Sequence, residues 1–67
     1  MTNQEAWRMR AEEIQPGQFY LVQVGGYAIR VKVIEPLPND ANRWLCEDAR
    51  EGRTLDCELW QFNRHST

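Results

Sequence analysis

Histidine and lysine are scarce in this chain. One histidine, His65, and one lysine, Lys32, accompany seven arginines in 67 residues. Nucleophilic catalysis needs a nucleophile, a base and an orienting group, and a single His in the polar stretch 63–67 supplies no such set. Two cysteines, Cys46 and Cys57, with that one His fall short of a four-ligand zinc site built from closely spaced pairs. The four glycines form no phosphate loop, because Gly25-Gly26 lies between two strand-like runs rather than at a strand-to-helix turn. No apolar run approaches the ~20 residues of a membrane helix, and residues 1–14 lack the apolar core of a secretory leader. A cytoplasmic location is therefore expected. No charge of one sign dominates either. The net charge of −2 excludes a generically basic nucleic-acid binder, though not a local basic patch.

What is present argues for a folded domain. Hydrophobic residues make up 42% of the chain and include seven aromatics, whereas disordered segments are depleted in aromatic and β-branched residues. The length allows one small domain with a small core.

Residues 1–15 read as a separate segment. Thr2-Asn3-Gln4-Glu5 fits a capping box, and Trp7, Ala11 and Ile14 share one helical face. Pro16-Gly17 stops the pattern. A short N-terminal helix docked through Trp7 is expected. From Gln18 the period becomes two. Residues 19–24 and 27–34 flank Gly25-Gly26, which predicts a two-residue hairpin of type I′. With Val24 opposite Tyr27, one face carries Tyr20, Val22, Val24, Tyr27, Ile29, Val31 and Val33. A slip of one residue would destroy that apolar face. The other face is mixed: Phe19, Leu21, Gln23, Ala28, Arg30, Lys32 and Ile34. Residues 35–42, with two prolines and several Asn and Asp, read as a loop. A second hairpin, 44–49 with 54–59, places Ala49 opposite Thr54 and Cys46 opposite Cys57. Its core face is Trp44, Cys46, Leu55, Cys57 and Leu59, with Asp48 near the turn. Trp60-Gln61-Phe62 forms a short closing element, and residues 63–67 a polar tail.

Two hairpins alone leave exposed edges, so closure into a small barrel is expected. Ile14-Gln15-Pro16-Gly17-Gln18-Phe19-Tyr20 resembles the lead-in of SH3-like small barrels of the Tudor and KOW type, where an apolar residue and a Gly precede the first strand. Gly26-Tyr27-Ala28-Ile29-Arg30-Val31 is similar to the second Tudor strand. Residues 44–55, with Glu47-Asp48 and Gly52, look like the third and fourth. The resemblance covers roughly residues 14–62. It implies a mainly β fold: an antiparallel SH3-like barrel of four to five strands over 16–62, following the helical segment 1–15.

The paired acids offer no general acid–base couple. Glu47 and Asp48 point to opposite faces of a strand, and Glu12-Glu13 lie on the solvated side of the predicted helix. A non-enzymatic binding module without cofactor or metal is therefore expected. Cys46 and Cys57 read as packed, reduced thiols. Their opposition also permits a disulfide, and a metal would need ligands from a second chain.

Two candidate surfaces remain. Phe19 and Leu21 beside Arg30 and Lys32 form an aromatic and cationic surface for a peptide or a nucleic-acid strand, unless the N-terminal helix covers them. Trp60 is either an exposed interface anchor or a core residue closing the barrel end. A protein or peptide partner is the first expectation. Single-stranded RNA or DNA is the second, and a structural subunit or homo-oligomer the third.

Overall fold

The structure is a computed structural model and describes residues 9–63. The fold is mainly β. Five strands, β1 (Phe19–Val24), β2 (Tyr27–Leu37), β3 (Asp40–Asp48), β4 (Thr54–Glu58) and β5 (Phe62–Asn63), form one antiparallel sheet in the order β4-β3-β2-β1-β5. Two 3-10 turns, Ala11–Glu13 and Leu59–Gln61, precede β1 and β5.

The first hairpin adopts the register its alternation dictates: Val24 faces Tyr27, Val22 faces Ile29 and Tyr20 faces Val31. Tyr20, Val22, Val31 and Val33 are buried, while Gln23, Ala28, Arg30 and Lys32 are exposed. The turn differs from expectation. Only Gly25 takes a positive φ, +62°, which is the type II′ rather than the type I′ pattern. Ile29 belongs to the core face by parity but is only half-buried, because β3 ends before it can be covered. Val31→Ala should therefore cost about 1–3 kcal/mol and Ile29→Ala about half as much, read from denaturant midpoints. Equal losses would mean that the core extends to the hairpin tip.

The predicted loop 35–42 is mostly strand. β2 runs on through Pro36 to Leu37, with irregularities between Val33 and Glu35 and between Pro36 and Leu37. Glu35 pairs with Leu45 and Pro36 with Trp44. Alternation of the ladder turns the Pro36 nitrogen away from β3, toward a side that β1 no longer reaches. Its missing N–H therefore costs no ladder bond, as for prolines on sheet edges.

The second hairpin keeps its predicted parity but shifts its pairing by two residues. Trp44 faces Cys57, Cys46 faces Leu55 and Glu47 faces Thr54. The directly opposed cysteines expected from the sequence are thus diagonal neighbours. The turn decides this. Asp48 Oδ1 accepts from the N–H groups of Arg50 (2.7 Å) and Glu51 (3.1 Å), and Gly52 N–H donates to Asp48 O at 2.8 Å. Gly52 sits at φ +79°, a region open to glycine. The turn therefore begins at Asp48. A shift of two preserves each side chain's face, so Trp44, Cys46 and Cys57 are still buried.

β4 stops at Glu58, and Leu59–Gln61 is a 3-10 turn rather than a continuing strand. The chain then enters β5, which pairs with β1 at the far side of the sheet. In a flat sheet, β4 and β5 would lie four spacings apart, ~19 Å. A connection from Glu58 to Phe62 reaches at most ~14 Å. The sheet must curl, and the core shows that it does: Phe62 of β5 meets Trp44 of β3 and Tyr20 of β1. The hydrogen-bonded ladder does not close into the expected barrel. β5 has only two residues, and β4 pairs with β3 alone.

The N-terminal α-helix is not found in residues 9–15, where a single 3-10 turn is held by Glu13 N–H to Arg10 O and Ile14 N–H to Ala11 O. The Tyr20 hydroxyl pins this stretch to the sheet, accepting from Gln15 N–H (2.9 Å) and donating to Glu13 O (3.1 Å). With Ile14 drawn into the core and Pro16 close behind, residues 9–15 have room for one turn. The capping box at Thr2–Glu5, Trp7 and the tail residues 64–67 with His65 lie outside the described residues. Asn63, expected in the tail, is part of β5.

Candidate binding surfaces

The convex face of the first hairpin brings Phe19, Leu21, Arg30 and Lys32 together as the alternation requires. Phe19 is paired with Lys32 and Leu21 with Arg30. The Arg30 guanidinium carbon lies 5.0 Å from the centre of the Phe19 ring, a cation–π contact. Phe19 is 41% exposed, while Leu21 is half-buried. The described part of the N-terminal segment packs on the core through Ile14, so it is not the cover that sequence reasoning offered for Phe19.

Beside this face the tips of the two hairpins frame an open cleft of about 970 Å³, lined in part by Phe19, Tyr27, Arg30, Arg50 and Arg53. Tyr27 is 67% exposed. Its parity matches the core face, which is why sequence reasoning missed it as a surface group. It sits at the turn, beyond the end of β3. The arginines are partly balanced: Arg53 Nε lies 3.6 Å from Glu51, and Asp48 is occupied by the turn.

Trp60 occupies the middle of the Leu59–Gln61 turn and is 66% exposed. The reading of Trp60 as a core residue is therefore overturned; Phe62 takes that place. The turn is fixed at both ends. Gln61 Oε1 accepts from Glu58 N–H (2.7 Å), and Gln61 Nε2 donates to Gln23 O (2.8 Å) on β1. The indole N–H of Trp60 donates to Glu58 Oε1 at 2.9 Å. Glu58 Oε2 in turn accepts from Arg43 Nη2 at 3.0 Å, and Arg43 Nε lies 3.7 Å from Asp40. Trp60 thus stands on a braced turn beside a second cleft, of about 530 Å³, lined by Met9, Asp40, Asn42, Glu58, Leu59, Trp60 and Phe62. Its floor is apolar and its rim is acidic.

Cys46 and Cys57 are fully buried and free. The hydrogen bond with Cys57, then burial, holds the Cys46 thiol above the ordinary range. The hydrogen bond from Cys46 lowers Cys57, against burial and the charge of Asp56. Neither sulfur reaches solvent, so neither is an accessible nucleophile. Among the described residues no group of three or more His, Cys, Asp or Glu is placed to hold a metal. No helix among them is long and apolar enough to cross a membrane.

Fold and surface together define a small antiparallel β domain with open clefts at the hairpin tips and beside Trp60. Comparison with known families, curated proteins and solved structures gives no match to the chain.

Proposed function

We propose that this protein is a non-enzymatic binding module for a protein partner, built on a partly open barrel of the SH3-like kind. The observation that carries the reading is Trp60. A large aromatic side chain stands in solvent, held by its indole hydrogen bond on a braced turn, over an apolar floor. Exposed tryptophans are frequent interface anchors, and a fixed one loses little freedom on binding. The barrel part of the reading is supported by the forced curl of the sheet and by the short 3-10 turn that carries the chain from one edge strand to the other. A cytoplasmic location belongs to the same reading, supported by two cysteines packed as free thiols.

The test is affinity capture of cross-linked partners, comparing the parent chain with Trp60→Ala. The variant should fold as stably as the parent and lose about tenfold or more in affinity for any specific partner. Capture of the same proteins at the same strength by both would remove Trp60 from the interface.

The Arg30–Phe19 stack favours a second reading, a single-stranded nucleic acid running over Phe19 and Tyr27 past Arg30, Arg50 and Arg53. Saturable binding of random single-stranded RNA that weakens steeply with salt would bring it forward.

A further inference from the structure

β4 is an edge strand, and its outer side carries open backbone groups. Asp48 N–H donates to Arg53 O at 2.7 Å, so the backbone of Arg53 faces β3. Alternation then turns Leu55 and Cys57 toward β3, and Thr54, Asp56 and Glu58 outward. Gln61 already takes the Glu58 N–H. The N–H and C=O groups of Thr54 and Asp56 are left without a strand to meet among the described residues. The side chains along this edge alternate as well. Thr54 and Asp56 are exposed on the convex face, whereas Leu55 and Cys57 turn toward the core. Asp56 makes no ion pair among the described residues, and Glu47 lies near it on the same face, while Glu58, next along that face, is already paired with Arg43. The Glu58 end of the edge runs directly into the cleft beneath Trp60.

We propose that the outer edge of β4 receives an extended segment of a partner protein in which Lys or Arg alternates with aliphatic residues. This rests on the protein-binding reading and names the chemistry of the partner. The incoming backbone completes the ladder at Thr54 and Asp56, as in strand addition generally. Its basic side chains lie beside Asp56 and Glu47, its aliphatic ones extend the core layer of Leu55 and Cys57, and its end reaches Trp60. A second copy of this chain fits poorly. Antiparallel self-pairing over the open groups sets Thr54 against Asp56 and places the two Asp56 carboxylates on the diagonal, where like charges oppose, and the other edge, β5, offers only two residues. A nucleic acid lacks the alternating N–H and C=O groups and would meet the acids.

The experiment is amide hydrogen exchange followed by NMR on the full chain, with three capped heptapeptides as probes. One alternates Lys and Val, one alternates Glu and Val, and one is the Lys–Val peptide N-methylated at alternate residues. The Lys–Val peptide should slow exchange at Thr54 and Asp56 and leave Leu55 and Cys57, already paired to β3, unchanged. The Glu–Val peptide should bind about tenfold more weakly, the N-methylated peptide should give no protection, and Asp56→Lys should reverse the charge preference. Four results would overturn the proposal. Slow exchange at Thr54 and Asp56 in the free protein at every dilution means that its own chain fills the edge. Protection that grows with protein concentration alone means a second copy. Peptide-induced shifts confined to Trp60 place the partner in the cleft and not on the edge. The fourth is no binding of any peptide. Trp60-dependent capture that persists in the last two cases leaves the protein-binding reading standing. Edge protection together with Trp60-independent capture removes the anchor but keeps the edge.

Discussion

Phe62→Ala is expected to leave the domain largely unfolded at room temperature. Phe62 is 1% exposed and is the largest of the fully buried side chains. Its ring meets Tyr20 edge-on at 5.7 Å and Trp44 edge-on at 5.4 Å. Truncating a buried Phe costs about 3–5 kcal/mol, from lost transfer energy plus the cavity left behind. Small domains hold only about 5 kcal/mol in total. The location makes the loss harder to absorb. β5 is two residues long, and the ladder holds it only through Leu21 with Asn63 and Val22 with Phe62. The side chain is thus the main fastening of the strand that curls the sheet. Urea unfolding followed by tryptophan fluorescence checks this. Phe62→Leu should retain a cooperative transition with a loss of about 1–2 kcal/mol, and Trp60→Ala should move the midpoint hardly at all. A Phe62→Ala variant with the parent's midpoint would mean that the three-ring cluster does not organise the core.

Alkaline pH should destabilise the domain through its buried thiols. In the folded state the pair gives up its first proton from Cys57 and holds the second on Cys46, whose thiol is raised by the hydrogen bond with Cys57, by burial and by the charges of Cys57 and Asp56. In the unfolded chain both cysteines titrate near the ordinary thiol value of about 8.5. Below that value both states keep the Cys46 proton, and its contribution to stability is constant. Above it the unfolded state binds fewer protons than the folded one, so stability falls as pH rises. The slope is about 1.4 kcal/mol per pH unit for one retained proton. From about pH 9 to about pH 11 the loss approaches 3 kcal/mol, a large part of what a small domain has. Denaturant midpoints across that range should decline steeply for the parent and less steeply for the double variant Cys46→Ala/Cys57→Ala, because Cys57 left alone would itself be raised by burial and by Asp56. Identical slopes would show that other groups control the alkaline limit.

The first hairpin was legible because one apolar face and a two-residue Gly-Gly loop leave a single register that buries Tyr20, Val22, Val31 and Val33. The second was legible only to parity. Its loop contains one glycine among several polar residues, and whether pairing ends at Ala49 or Asp48 depends on which side chain caps the turn. Asp48 does so through two backbone N–H groups, and the cysteines move from opposed to diagonal. Pro36 concealed a strand because a sequence does not reveal which side of a strand lacks a neighbour. The cluster of Phe19, Leu21, Arg30 and Lys32 followed from alternation. The exposure of Tyr27 did not, since parity carries no information about where the covering strand ends.

The sequence by itself determined the β character of residues 19–34 and 44–58 outside their turns, the face on which the residues of those strands lie, and the pairing of the first hairpin. These depend on a period of two and on turn chemistry, both local. Tertiary structure alone decided that Phe62 enters the core while Trp60 is left in solvent. The chain has three residues, Leu59–Gln61, in which to pass from β4 to the far edge of the sheet, and only a curled sheet makes that crossing. The same geometry leaves the β4 edge open and sets Trp60 beside it, because the strand that would have closed the ladder is too short to do so.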